Sequence, residues 1–320
     1  MQRAYRPLQD SIGANLACIA IAHRYIRVCC TPFAAMHGAS RRRRRRGRLH
    51  RLLRKLRAQR NRKTSALVGL WDECIVDEPM AALMHAAQEY WTQRGGDRSV
   101  AKSSWLPRGA MPRSPLEALA RGVLCAHVPE ETPMDAVAGA EYWVQIRQGR
   151  SGGLGLHFDK DEQAHAERDE WHHPMLASAT YLTNGGAPLA IFDTTSDGKG
   201  PVRRGWLVSP QRGRHVAFLG DRLHGVPAEL APEGSQATRV SVLVNLWDRR
   251  PAGVSRAPAG EACEPFALCF AHKVTPPIAA VQPDDHRLAE HRDGDTGPIP
   301  LEKWRICAKG PAVALELRYY

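Results

Sequence analysis

The period of the hydrophobic pattern changes once along the chain, near residue 140. Before that point, residues 65–94 and 114–124 carry apolar side chains at helical spacing, and Pro79 is expected to divide the first segment. Ser114 and Pro115 suit the N-cap and the first position of the second helix. After residue 140 apolar and polar positions alternate, which predicts short strands at 141–147, 154–159, 177–183, 188–193, 205–210, 215–220, 224–229 and 238–248.

The connections between these strands indicate the fold class. Turn sequences such as NGGA and SDGKG separate most of the strands, and no helix of about ten residues fits between them. Seven or eight short strands at this spacing predict a sandwich or a jelly-roll barrel, so we expect a mainly β protein with flanking helices. Residues 65–137 are expected to form a helical support region, and residues 251–320, with weak patterning, to wrap the barrel or trail from it.

The charge of the 320-residue chain is concentrated at its beginning. Residues 41–63 contain 14 Lys and Arg and no acid, and residues 1–40 add four Arg against Asp10. The first 63 residues therefore carry a net charge of +17. Because the formal net charge of the whole chain is +12, the remaining 257 residues carry −5. The basicity belongs to an appendage and does not make the body a nucleic-acid-binding protein.

Several readings of the N-terminal segment 1–64 remain open. Residues 1–40 resemble an organelle transit peptide or are simply disordered, and residues 41–63 suit a nuclear address, an RNA-binding arm, an anionic-membrane helix or a solvated tail. A nucleic acid is therefore expected as a partner only through residues 41–63. No apolar run is long enough to span a bilayer. Eight scattered cysteines without a C-x-x-C motif indicate reduced thiols, so we expect an intracellular protein of an organelle or the nucleus.

The stretch GLGLHFDKDE, residues 153–162, places His157 and Asp159 two residues apart on a predicted strand. Side chains alternate along a strand, so both point to one face, as two ligands of one ion require. The H-x-D pattern alone is weak, because His291 and Asp293 repeat it in a charged, loop-like segment that we interpret as surface. The first pair therefore depends on what accompanies it.

Three downstream residues add that support. His224 follows a tight turn and opens a predicted strand, and Arg239 and Ser241 share one face of the strand 238–248. Two His and one carboxylate form a facial triad that suits non-haem Fe(II) and leaves three coordination positions open. A buried guanidinium needs a partner, and its fork matches a carboxylate, to which Ser241 could also donate. His215 is the closest rival of His224 as the distal ligand.

The order H-x-D, then LHGV, then R-x-S resembles the 2-oxoglutarate/Fe(II)-dependent dioxygenase superfamily, over about a third of the chain. The FLGDRLHGV segment is similar to prolyl 4-hydroxylases, although those usually carry Lys where Arg239 stands. The resemblance implies a double-stranded β-helix at residues 138–250, with iron held by His157, Asp159 and His224. It also implies 2-oxoglutarate on Arg239 and Ser241, with O2, an unidentified primary substrate and ascorbate as a further reductant.

The implied reaction is hydroxylation of a substrate C–H coupled to decarboxylation of 2-oxoglutarate to succinate and CO2. The resemblance also marks Tyr142 as a candidate hydrogen-bond partner of the cosubstrate, with a core aromatic as the alternative. AlkB-type demethylases carry a second Arg at the position of Asn245, so the sequence does not favour nucleic-acid repair. His172 and His173 lie next to each other, which suits a loop or lid better than a second metal site.

Two rival functions remain at this point. A cupin-like metal-binding barrel with a different activity, or none, would use similar strands but would have no need of Arg239. A basic-tailed scaffold protein with a degenerate barrel would depend on residues 1–64 for its main activity. The sequence does not identify the primary substrate, because the loops 160–176 and 194–204 are expected to set it.

Overall fold

The computed structural model describes residues 68–75, 77–94, 102–149, 153–196, 204–258, 260–283, 304–307 and 313–314. The described part is mainly β-sheet with three α-helices: α1 (Asp77–Gln93), α2 (Pro115–His127) and α3 (Glu162–Arg168), and a short 3-10 helix at Ala228–Leu230. Its strands are β1 (Val68–Asp72), β2 (Ser104–Pro107), β3 (Gly139–Gln148), β4 (Leu154–His157), β5 (Leu176–Tyr181), β6 (Leu189–Thr195), β7 (Arg204–Val208), β8 (His215–Phe218), β9 (Arg222–Val226), β10 (Thr238–Trp247), β11 (His272–Val274), β12 (Ile278–Pro283), β13 (Trp304–Cys307) and β14 (Val313–Ala314).

These strands form two sheets. Each has seven strands; the first has the order β11-β1-β8-β5-β10-β3-β2, and the second has the order β14-β13-β12-β7-β6-β9-β4. We call them sheet A and sheet B. Every strand pair described is antiparallel. Between β3 and β10 the chain crosses repeatedly from one sheet to the other, with β6 and β7 staying together in sheet B, and a buried cluster with members from both sheets joins them face to face.

All eight strands predicted between residues 141 and 248 are confirmed as β3 to β10. The prediction that residues 65–94 are helical is wrong for Val68–Asp72, which forms β1 and pairs with both β8 and β11. The Ala- and Leu-rich pattern of the following helix led to the prediction of a helix over this Val-Gly-Leu-Trp segment as well. The segment is a strand because it pairs with strands that are distant in the sequence. Pro79 lies in the first turn of α1, where a missing backbone N–H is tolerated.

Helices α1 and α2 pack on the outer face of sheet A. The predicted cap of α2 is confirmed, since the Glu117 backbone N–H donates to the Ser114 hydroxyl at 3.2 Å and Pro115 occupies the first turn. The buried Glu117 carboxylate also accepts two hydrogen bonds from Arg256, at 3.0 and 2.7 Å. This pair fastens the segment after β10 to the helix layer, so part of the region 251–320 packs on the domain.

Sheet A therefore has two differently used faces. Along β3, Tyr142 and Val144 belong to the cluster under the helices, whereas Trp143 and Gln145 line a pocket between the two sheets. Alternation along the strand sends neighbouring residues to opposite sides. Every functional assignment on β3 and β10 therefore depends on whether the residue number is odd or even.

Some expectations fall outside this description. The basic segment 1–64, and with it the readings of residues 41–63, lies outside the described residues, as does His291-x-Asp293. Within the described part, no helix is long and apolar enough to cross a membrane. Cys74, Cys263 and Cys269 are free thiols.

Candidate metal centre and adjoining pocket

Three predicted ligands converge at the inner face of sheet B. His157 ends β4 and is paired in register with His224 of the antiparallel strand β9, so their rings stand side by side at 4.4 Å between centroids. The Asp159 carboxylate lies 3.6 Å from each imidazole, through Oδ1 to His157 Nε2 and Oδ2 to His224 Nε2. The three ligand atoms lie within 4.8 Å of one another, and in the described part of the chain this is the one group of that kind found.

The two rings are held in the tautomer that a metal needs. His157 Nδ1 lies 2.9 Å from the Gly155 carbonyl oxygen, and His224 Nδ1 lies 2.9 Å from the Arg222 carbonyl oxygen. A carbonyl oxygen only accepts, so each Nδ1 carries the proton and each Nε2 presents a lone pair. Both Nε2 atoms face the Asp159 carboxylate. Such backbone contacts orient imidazole ligands in known metal sites.

The protonation states of this group also suit a metal. Burial lowers the pKa of His224 to about 4, and the nearby His157 acts in the same direction, so the ring is neutral at neutral pH. Burial would raise the pKa of Asp159, but the two imidazoles and a hydrogen bond from Asn245 outweigh it and hold the pKa below its usual range. For His157, burial lowers the pKa, but the hydrogen bond and charge of Asp159 raise it overall. A carboxylate beside a neutral imidazole is ready to bind a cation.

Arg239 projects into the same pocket from β10 and is only 3 % exposed. Its guanidinium donates to the Ala187 carbonyl and to Gln145 Oε1, both at 3.3 Å, and its Nε has no hydrogen-bond partner among the described residues. Both acceptors are neutral. Burial lowers the pKa of Arg239. A buried guanidinium held only by long contacts to neutral oxygens can still accept an anion as a partner.

Two neighbours complete this end of the pocket. Ser241 is buried two residues after Arg239 on the same strand face and is paired with Gln145 of β3 and Tyr181 of β5. The Tyr181 hydroxyl is buried and has no hydrogen-bond partner in the described part of the chain. Burial raises the pKa of Tyr181 to about 12, so the hydroxyl keeps its proton and can donate. The sequence reasoning missed Tyr181.

Tyr142, the remaining predicted cosubstrate residue, does not line this pocket. It faces the helix layer, 6.1 Å from the Tyr90 ring and in the cluster that contains Val144. The correction follows from strand alternation, since residues 143 and 145 occupy the pocket face of β3. Tyr142 is a core aromatic, which was the alternative reading of this residue. Tyr181 supplies the phenol of the pocket from a different strand.

His215, the rival for the distal ligand, also faces the helices. Its Nδ1 lies 2.8 Å from the Thr180 hydroxyl and its Nε2 lies 2.9 Å from His127 Nε2. It is fully buried, and burial holds its pKa well below the ordinary value for histidine. His215 is therefore a structural residue on the opposite side of sheet A from the metal centre.

The adjacent histidines of the ERDEWHHP segment do not form a second metal group. His172 pairs with Asp248 at 2.9 Å. His173 Nδ1 lies 2.6 Å from the Asp159 carbonyl oxygen and its Nε2 lies 2.6 Å from the Ser196 hydroxyl. As expected, they lie in a loop, which follows α3. This loop supports the backbone of a ligand residue.

Comparison with known proteins gives a fold-level likeness only. No protein-family model and no curated protein matches the chain. A prolyl-4-hydroxylase structure from Pseudomonas putida is 15% identical, covers 74% of this chain and 100% of its own, and has a TM-score of 0.38. EctD from S. alaskensis, with 2-oxoglutarate and 5-hydroxyectoine, is 17% identical, covers 63% and 82%, and has a TM-score of 0.38.

A third structure shows the same level of likeness. A prolyl hydroxylase from Trichoplax adhaerens, in complex with a hypoxia inducible factor peptide fragment, is 13% identical, covers 65% of this chain and 94% of its own, and has a TM-score of 0.37. Likenesses this distant carry no functional inference by themselves. The residues of this chain carry the function proposed below.

Proposed function

We propose that this chain is an Fe(II)- and 2-oxoglutarate-dependent dioxygenase that hydroxylates an unidentified primary substrate within a double-stranded β-helix. One observation carries the proposal. A His-Asp-His group with metal-ligand geometry and a buried guanidinium without an acidic partner among the described residues line one pocket. The His-Asp-His group needs a cation and the guanidinium needs an anion. A metal ion chelated by a molecule with a further carboxylate satisfies both.

The donor set of the metal centre suits iron. Two imidazole nitrogens and one carboxylate on one side of an ion leave the remaining positions open for a chelating cosubstrate and O2. His157, Asp159 and His224 would hold the ion. When bound, iron would supply the oxidative chemistry, with O2 as the oxidant: one oxygen atom would go to 2-oxoglutarate as it is converted to succinate and CO2, and the other would become the hydroxyl group of the substrate. The protein contributes orientation and shielding from water.

The arginine end of the pocket fits the far carboxylate of the cosubstrate. Arg239 would hold that carboxylate with its guanidinium fork, and Ser241 and Tyr181 stand where their hydroxyls could donate to it. The apolar side chains of Leu189, Leu243 and Val226 line the stretch between the two charged ends. A dicarboxylate with a short aliphatic spacer matches this sequence of charged, apolar and charged surfaces.

The alternative of a cupin-like metal barrel without this activity is not favoured. It would need the metal group but would leave the Arg239 guanidinium buried without a purpose. Burying such a group destabilises the empty protein, so its presence is best explained by an anion that binds there. Ascorbate as a further reductant, and a nucleic acid bound by residues 41–63, remain expectations from the sequence.

The proposal is tested by titrating the metal-free protein anaerobically with Fe(II) and then with 2-oxoglutarate. We expect a visible charge-transfer band that needs both components and is absent from Asp159→Ala. Succinate should form when O2 is admitted. A normal Fe(II) affinity without the band or succinate would contradict the assignment of the cosubstrate and would favour the cupin-like alternative. Turnover that persists in Arg239→Ala would show that this arginine does not bind the cosubstrate.

A further inference from the structure

The strand β10 also brings a neutral amide to the metal centre. Arg239, Ser241, Leu243 and Asn245 alternate along one face and all line the pocket. Asn245 is 2 % exposed, and its Nδ2 lies 3.0 Å from Asp159 Oδ2. The amide of Asn245 on sheet A therefore contacts Asp159, which lies in the loop after β4 of sheet B.

The local packing leaves the Asn245 side chain little choice of direction. Its partner in register on β5 is Ala177, which is buried and whose methyl side chain offers no hydrogen-bond partner to the amide. Its partner on β3, Glu141, already accepts from the Ser103 hydroxyl at 2.6 Å and the Trp247 indole at 3.0 Å. The amide is thus directed into the pocket, where its Nδ2–H donates a hydrogen bond to the Asp159 carboxylate.

Asp159 differs from the two histidines in how it is held. Each imidazole is fixed through its own Nδ1 by a carbonyl of the same strand. The carboxylate has no such contact, and Asn245 is the one side chain besides the two ligand histidines that is described as touching its oxygens. A carboxylate with a free torsion can bind a metal through one oxygen or two, or turn away. A single donor on Oδ2 fixes its plane.

We propose that Asn245 is a positioning residue for the metal centre, which orients the Asp159 carboxylate through the Nδ2–Oδ2 hydrogen bond. This inference rests on the proposed function, because it takes His157, Asp159 and His224 as the ligands. Asn245 itself does not bind the metal. Because the amide is neutral, it orients Asp159 without neutralising it, so the full negative charge of the carboxylate stays directed at the cation.

The test is a titration of the metal-free full chain with Co(II), measured by its visible absorption, in wild type, Asn245→Leu and Asn245→Ala. Leu keeps the branched shape and the number of heavy atoms of the Asn side chain, although it is somewhat bulkier, and it cannot donate, whereas Ala removes both the branch and the donor. We expect both variants to weaken Co(II) binding by about 10- to 100-fold, the usual effect of losing a group that orients a ligand. The ligand-field spectrum should also change, because the carboxylate loses its fixed plane.

Two controls separate the possible failures. Absorption that remains in His157→Ala reports Co(II) bound elsewhere and is subtracted. Asn184 lies in a surface turn, where its side-chain oxygen accepts a hydrogen bond from the Arg212 backbone N–H. Asn184→Ala should therefore bind Co(II) like wild type. If Asn245→Leu binds Co(II) with wild-type affinity and spectrum, the positioning role is wrong and the metal centre stands. If Asn245→Leu is normal and only Asn245→Ala is weak, Asn245 acts by packing alone. If His157→Ala does not reduce wild-type binding, the metal centre and the positioning role both fall.

Discussion

The two ends of the pocket differ in how well they are satisfied without a ligand. At the metal end, every group has partners within the protein: each imidazole has a carbonyl, and Asp159 has two imidazoles and an amide. At the other end, Arg239 makes two long contacts to neutral oxygens, and the Tyr181 hydroxyl makes none among the described residues. The metal end is organised in advance, whereas the arginine end is stabilised only when an anion arrives.

The largest expected effect is at the metal end. Replacing Asp159 or His224 by Ala should weaken binding of Fe(II) or Co(II) by more than about 100-fold, since removing a direct ligand exceeds the effect of removing an orienting group. Competition with a chromophoric chelator measures this. Binding of 2-oxoglutarate should then fail as well, because the cosubstrate loses the ion that it chelates. Metal affinity within tenfold of wild type would remove these residues from the ligand set.

Replacing Arg239 should lower the affinity for 2-oxoglutarate without lowering the stability of the metal-free protein. Arg239→Met should weaken 2-oxoglutarate binding by about 100-fold, because the variant loses a buried charge pair of the complex. The same change should leave the metal-free protein as stable as wild type, or up to about 2 kcal/mol more stable, because it removes a desolvated charge. Tryptophan fluorescence titration gives the affinity and urea unfolding gives the stability. A strongly destabilised metal-free variant would show that Arg239 is structural.

The pH dependence of stability contrasts the metal histidines with the pair on the other face of sheet A. Because the pKa of His215 is lowered in the folded protein, its contribution is complete above the unfolded pKa of about 6.5 and is lost as the pH falls below it. Lowering the pH to 5.5 should remove on the order of 1 kcal/mol of stability through this residue. His215 is faced by His127, Thr180, Trp71 and Phe270.

This contribution is obtained from urea unfolding at pH 7.5 and 5.5, compared between wild type and His215→Gln. The loss in wild type should exceed the loss in His215→Gln by about that amount, and added metal should not change the difference, because His215 is no ligand. An equal loss in both proteins would assign the pH dependence to other groups, such as His224.

The smallest effect on cosubstrate binding is expected at Tyr181. Tyr181→Phe removes the hydroxyl and leaves the buried ring, so 2-oxoglutarate binding should weaken by about tenfold, the lower end of the value of one hydrogen bond to a charged group. The metal-free protein should keep its stability, because the hydroxyl has no described partner to lose. Tyr142→Phe serves as the matched control, since its hydroxyl lies among the core residues under the helices. Equal effects of the two changes on cosubstrate affinity would contradict the placement of Tyr181.

Strand alternation explains what the sequence could predict. It placed the eight strands from β3 to β10 and the shared face of Arg239-x-Ser241, because both rest on the two-residue period within one strand. His157 and Asp159 converge as expected, but Asp159 lies just beyond the end of β4, so the period alone does not account for that pair. The same rule, continued along β10, would have pointed to Asn245 as a pocket residue. Strand alternation could not predict that Tyr181 or the odd-numbered residues of β3 face the pocket, because a two-residue period does not say which of the two faces is inside. That choice depends on pairing between distant strands.

The pairing of β1 has a consequence for how the protein can be divided. This strand lies between β8 and β11, and both of these strands come much later in the chain. A fragment cut at residues 138 and 250 would leave β8 as an open edge beside an uncovered apolar surface, a template for aggregation. The shortest cooperative folding unit therefore extends at least from Val68 to Val274, and the two flanks of the chain fold together with the centre that they enclose.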